Sequence, residues 1–264
     1  MSAVLPRALA VLEHLVAKPD GEFLGDVADA LDMPRSATHR ILSELVDLGY
    51  LVQHPVDGRY SLGLRIVSQA LRHLAKIPLV DLAKPTLDRL AELSGELARL
   101  SIPENGSLLW IAKTQGARSG LRYDPDAGRE IKLARTSSGL AWLSTLPEQE
   151  AVHYIERQGF DDLENYGPDG VTTLEQALEV VARVREDGYC YTDSTFELGT
   201  ATIAVPIAEP GQRGSGVLSI AGPSVRLTLE RALTMVPHLI DAAEELAHLA
   251  PPPPPPPAVK EPKR

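Results

Sequence analysis

Ser36, His39, Arg40 and Ser43 recur at i, i+3, i+4 and i+7, so a helix would gather two hydroxyls, an imidazole and a guanidinium on one face, with no acid before Glu44. All four side chains can donate hydrogen bonds, and an arginine can hold a guanine edge through two of its own, so such a face suits the major groove of DNA. Ala37, Ile41, Leu45 and Leu48 fall at i, i+4, i+8 and i+11, the apolar stripe by which the helix would pack on its neighbours. The same spacing also describes an ordinary amphipathic helix with a solvated flank, and the segment alone leaves both readings open. No comparable constellation points to catalysis. The seven histidines (14, 39, 54, 73, 153, 238 and 248) form no metal-ligand spacing, and no phosphate-cradling glycine loop or GxSxG turn occurs. The expectation is no enzyme, no cofactor and no metal site.

The neighbouring elements decide whether that polar face can reach a duplex. A first helix is expected over about Pro6–Ala17, with Ala8, Leu9, Leu12, Leu15 and Val16 inward, broken by Pro19-Asp20-Gly21. A short second helix, Leu24 to Leu31, carries Val27, Ala28 and Leu31 on one side, and Asp32-Met33-Pro34 turns the chain, with Pro34 near the first helical position. Gly49 suits a left-handed cap, and Leu51–His54 and Arg59–Leu62 read as strands joined through Pro55-Val56-Asp57-Gly58. Three helices and a ribbon make a winged helix-turn-helix over residues 1–63, and the DNA reading gains accordingly. Arg35 and Arg59 become phosphate candidates and Thr38 a base-edge candidate, although Thr38 borders the apolar stripe.

Charge pulls the other way. The chain carries a net −10, and residues 1–62 hold five Lys/Arg against nine Asp/Glu. An acidic body disfavours non-specific nucleic-acid affinity, whereas a local edge of Arg35, Arg40 and Arg59 still permits docking. A ligand-binding dimeric sensor without direct DNA recognition is the alternative. At 264 residues and 44% apolar composition, two domains with sizeable cores are expected. No apolar run reaches membrane-spanning length and no signal peptide is evident. The lone Cys190 reads as a small buried hydrophobe, and a reducing cytoplasm is the expected compartment.

From Leu64 to about Ala75 a linker helix (64–77 with its exit) lines up Ile66, Val67, Ala70, Leu71 and Leu74, a face that a second copy of the chain could cover. Residues 78–250 read as mixed α+β. The expected helices are Leu79–Ser94 (Pro85 near its first turns), Ser138–Thr145, Pro147–Gln158, Leu174–Asp187 and Thr228–Leu249, the last bent at Pro237. Expected strands are Leu97–Ile102, Ser107–Lys113, Leu121–Tyr123, Glu130–Leu133, Tyr189–Thr192, Thr202–Ile207 and Gly216–Ala221. Residues 251–264, opening with Pro251–Pro257, read as a disordered proline-rich tail.

Pro34–Leu42, Leu48-Gly49-Tyr50-Leu51, Arg59–Gly63, Lys84–Leu87, Ser94-Gly95-Glu96, Val184–Tyr189, Gly199, Ile203–Ile207 and Ser219–Pro223 follow one another as landmarks of the IclR family of bacterial transcription regulators, which the chain resembles along nearly its whole length. The resemblance implies a dimer on a palindromic operator, with the dimer of dimers open, and a C-terminal GAF-like domain that binds a small effector. It places the effector pocket at the loop Arg135–Gly139, including Ser137 and Ser138, and at Thr192 or Asp193, Thr202, Ser219 and Ala221. Thr202 and Ala221 stand where members often carry a thiol or a hydroxyl, which argues against the smallest keto-acids. Trp110 as a stacking face and Arg135 as a cation fit a larger carboxylic acid, an aromatic one included, or else are plain core and plain surface.

Overall fold

A computed structural model describes residues 4–104, 106–123, 131–161 and 166–249, in two compact units, 1–77 and 78–264. The start of the expected strand at Glu130 and the proline tail lie outside the described residues.

In the first unit, α1 (Val4–Val16), α2 (Leu24–Ala30) and α3 (Arg35–Asp47) precede a ribbon of β1 (Leu51–Gln53) and β2 (Tyr60–Leu62), followed by α4 (Leu64–Leu74). Val11, Leu15, Val27, Ile41, Leu42, Leu45, Leu51 and Tyr60 form the core. A narrow stripe of α1 is buried, so Leu9 and Val16, about a third of a turn or more round from the line of Val11 and Leu15, are exposed rather than inward. On α3 the expected stripe shifts in the same manner. Thr38 and Leu42 join Ile41 and Leu45 inside, Ala37 is half-buried, and Leu48, already past the last helical residue, stays exposed. Gly49 (φ +76°) closes α3 with the Tyr50 N–H donating to Leu45 O and the Gly49 N–H to Val46 O, a left-handed cap that a side chain would strain. The ribbon is antiparallel with Leu51 opposite Leu62, and Glu22 exchanges backbone bonds with Tyr60 on its other side. No residue of α4 is buried. Val67 is 46% and Leu71 60% exposed, so its apolar side has no cover among the described residues of its unit.

The second unit holds a five-stranded antiparallel sheet in the order β4-β3-β7-β6-β5. Its strands are β3 (Leu97–Glu104), β4 (Ser107–Gln115), β5 (Cys190–Asp193), β6 (Thr200–Ile207) and β7 (Gly216–Pro223). Its helices are α5 (Pro78–Ser94), α6 (Ser137–Leu143), α7 (Glu148–Gln158), α8 (Leu174–Asp187) and α9 (Leu229–Leu249), with a 3-10 turn at Leu133–Arg135. Helix α5 runs on through Pro85 well past its first turns, and Pro237 lies inside α9. Thr173 caps α8 and Gly188 ends it in the left-handed region. Two expected strands are missing. Leu121–Tyr123 is irregular, with the Tyr123 carbonyl taken by the Gln115 side chain. Ile131 donates its N–H to Leu108 O of β4 at 3.2 Å, but the ladder goes no further, because the Gln158 amide accepts from Leu133 N–H and donates to Ile131 O. Cys190 is buried, and burial pushes its thiol up to about 12, so it behaves as an inert apolar group. No described helix is long and apolar enough to cross a membrane.

Candidate DNA interface and ligand cavity

Helix α3 presents Arg35, Ser36, His39 and Arg40 to solvent, with Ser43 half-buried on the same side. Among the described residues Arg40 has no ion-pair partner. Arg35 meets only a distant one, its Nη2 lying 3.9 Å from Asp29 Oδ2 with both side chains largely exposed. Exposed pairs of that length contribute little, so both cations remain available to a polyanion. Thr38 is a correction: it is fully buried and its hydroxyl donates to Pro34 O at 3.2 Å, tying the start of α3 to its own first turn rather than to a base. Arg59 is available only in part. Its guanidinium lies over the Phe23 ring at 4.9 Å, with Nε 3.3 Å from Asp57 Oδ2 and no hydrogen bond from Nε. The unit's internal acid is also engaged. Glu22 takes both Lys18 Nζ and His14 Nε2 at 2.6 Å, contacts that hold its carboxyl below the usual range.

Sequence reasoning missed Arg65. It donates from Nη1 to Leu48 O at 2.5 Å and lies over the Tyr50 ring, fastening the start of α4 to the carbonyl end of α3, where a cation is favoured. Tyr50 Oη adds a contact to Gln69 Oε1 at 3.3 Å.

In the second unit, register aligns two cross-strand rows on one face of the sheet. One row is Arg99, Ser219, Ala204 and Cys190; the next is Leu97, Ala221, Thr202 and Thr192. A bulge between Leu100 and Ser101 leaves Ser101 opposite Trp110 and turns the indole onto that same face. The loop before α6 lies over it. Thr136 Oγ1 accepts from Gly139 N–H, and Gly139 approaches so closely that a Cβ there would stand 2.2 Å from Leu133 O. Between loop and sheet lies a cavity of about 10 Å³, room for a single water, whose lining includes Arg99, Trp110, Tyr123, Ser137, Ser138, Thr192 and Thr202.

Of the sequence candidates, the structure thus brings together Trp110, Ser137, Ser138, Thr192 and Thr202. Ser219 and Ala221 belong to the same face but not to the lining. Arg135 and Asp193 are corrections. Arg135 is buried and brackets a loop, its guanidinium donating to Val171 O at 2.9 Å and Gly167 O at 2.5 Å while its Nε has no partner. With Thr192 and Asp193 it lines a second cavity, of about 380 Å³, beside α8, which shares Thr192 and Thr195 with the first. Asp193 is exposed and accepts from the Ser194 hydroxyl. The cation beside Trp110 is instead Arg99, 4.3 Å from the ring centroid. Burial draws its pKa below the ordinary arginine value, while Tyr123 and Glu197 act in the opposite sense.

The winged helix and the ligand-sized face on the α+β unit match what is known of one family. The model described as bacterial transcriptional regulator IclR C-terminal matches residues 71–248. The chain belongs to the IclR family. A second IclR model, the IclR helix-turn-helix domain, matches residues 4–55, so this IclR regulator binds DNA through its N-terminal unit. The chain is 27% identical to the Pca regulon regulatory protein of Pseudomonas putida over 92% of its own length and 82% of that protein. It is 26% identical to the HTH-type transcriptional repressor AllR of Salmonella typhi, over 92% and 88% respectively. An IclR homolog from Microbacterium hydrocarbonoxydans, solved with 4-hydroxybenzoate, superimposes with a TM-score of 0.74 at 25% identity, covering 93% of this chain and 98% of that one.

Proposed function

We propose that this IclR regulator acts as a homodimer on a palindromic operator and that a small carboxylic acid, held in the second unit, alters its grip. Arg35, Ser36, His39, Arg40 and Ser43 are the groove-facing set and Arg59 a wing contact to phosphate. The observation that carries the DNA reading is the solvent-facing edge of α3, where Arg40 stands unpaired within an otherwise acidic unit. The uncovered apolar side of α4 supports pairing with a second copy. A two-fold dimer sets its recognition helices one helical turn of DNA apart, or a multiple of it, and so calls for an inverted repeat. The strand order of the second unit supports the GAF-like reading of that domain. The aromatic acid bound to the M. hydrocarbonoxydans homolog supports the effector class. An effector changes operator affinity only through unequal affinity for two arrangements of the dimer.

The test is selection of genomic fragments by the purified protein, repeated with aromatic and aliphatic acids present. An enriched inverted repeat, lost or strengthened with one acid, is the expected result. Fragments without dyad symmetry, or no enrichment at all, would remove the proposal.

A further inference from the structure

Ten buried side-chain atoms in the described residues lack a hydrogen-bond partner, and most of them lie around one spot: Arg99 Nε and Nη1, Trp110 Nε1, and the hydroxyls of Ser101, Ser137, Ser138 and Ser219. Orphaned donors are rare in folded proteins because each forfeits its hydration, so a concentration of them calls for a cause. Arg99 is 3% exposed and is the one ionised side chain among the described residues lining the inner cavity. The rest of that lining is aromatic or hydroxylated, with Phe196 set edge-on to Trp110 at 5.9 Å. Such a wall has room for one negative charge at the guanidinium, a flat apolar body against the indole, and neutral polar groups at the serines. A second charge on the ligand would find no further cation among the described lining residues, and an amine would face Arg99.

Resting on the effector reading above, we infer that Arg99 anchors the acid group of the effector and that the effector is a small aromatic monocarboxylate, with Ser137 and Ser138 receiving its neutral polar substituent. The guanidinium supplies charge-assisted bonds through nitrogens that are otherwise unused. The cavity of about 10 Å³ is smaller than a ring, so entry of the ligand pushes lining side chains apart, and binding is registered as a packing change.

Isothermal titration of the full-length protein tests this with benzoate, 4-hydroxybenzoate, 4-hydroxybenzamide and phthalate as probes, on the wild type, Arg99→Gln and Arg99→Lys. The expected result is binding of the two monoacids, at least about tenfold weaker binding of the amide and of phthalate, and a loss of about 100-fold in Arg99→Gln, with Arg99→Lys in between. Should Arg99→Gln fail to fold, the acid-against-amide comparison on the wild type and the Lys variant carry the test. The inference is overturned if the amide binds as well as the acid, if a folded Arg99→Gln keeps its affinity, or if neither monoacid binds the wild type at millimolar concentration. Operator titrations separate the two readings. Acid that binds through Arg99 without changing operator affinity sinks the effector reading and leaves the anchor standing. An operator response that survives in Arg99→Gln does the reverse.

Discussion

Arg40 and Arg99 both leave guanidinium nitrogens without protein partners, but the two units keep them in opposite surroundings. Arg40 stands in water, where an unpaired cation costs almost nothing, and its availability records only that no carboxylate among the described residues pairs with it. Arg99 has been taken out of water, where each unmet donor destabilises the fold unless a ligand meets it. The exposed arginine is therefore weak evidence individually and gains meaning from the helix that carries it. The buried one is strong evidence alone, because packing against it must be maintained at a cost in stability.

The sharpest way to pull the units apart is Leu42→Ala. Leu42 is fully buried beneath the recognition face, and its truncation is expected to cost about 2–5 kcal/mol. Operator binding should vanish while titration of an acid into the second unit continues. Loss of both would show that the units do not behave separately. Arg99→Met comes next and has the opposite sign. Without ligand it should leave thermal stability unchanged or raise it by about 1 kcal/mol, since an ill-matched buried charge is removed; a large drop in the melting temperature would mean that Arg99 is simply structural. Thr38→Val should cost about 0.5–1.5 kcal/mol through the lost bond to Pro34 O, with the preferred operator sequence unaltered. An altered base preference at one position would return Thr38 to the contact set. The smallest effect is acid sensitivity. Glu22 is depressed by Lys18 and His14, so its contribution is fully present above the ordinary carboxylate range and is lost as the pH falls through its lowered folded value. Acid unfolding of Glu22→Gln should start from lower stability near neutrality and converge with the wild type at low pH.

The N-terminal unit was readable in the sequence because its signals are local. A 3.6-residue period, Gly49 and the Asp57-Gly58 turn each act within a few residues. Even there the inward side of α1 was misjudged, since the width of a buried stripe depends on what packs against it. The sheet of the second unit was harder. Strand β3 is buried on both faces from Leu97 to Ser101, so no alternation marks Arg99 as facing the cavity. Its direction follows from pairing with β7, more than a hundred residues away. Arg135 was misassigned for a related reason, because the carbonyls it brackets, at Gly167 and Val171, are distant in sequence. At the two expected strands that did not form, side-chain amides take backbone groups, Gln158 at Ile131 and Leu133 and Gln115 at Tyr123.

Operator titration of the wild type and Arg40→Ala at one fixed salt concentration tests the central claim, that the exposed edge of α3 reads the DNA. Arg40 lies on the surface without an ion-pair partner among the described residues, so the substitution should leave the unfolding free energy within about 0.5 kcal/mol of the wild type. Operator affinity should fall by roughly 5- to 150-fold, the equivalent of about 1–3 kcal/mol for one arginine–base pairing. Undiminished affinity with an intact fold would contradict the account.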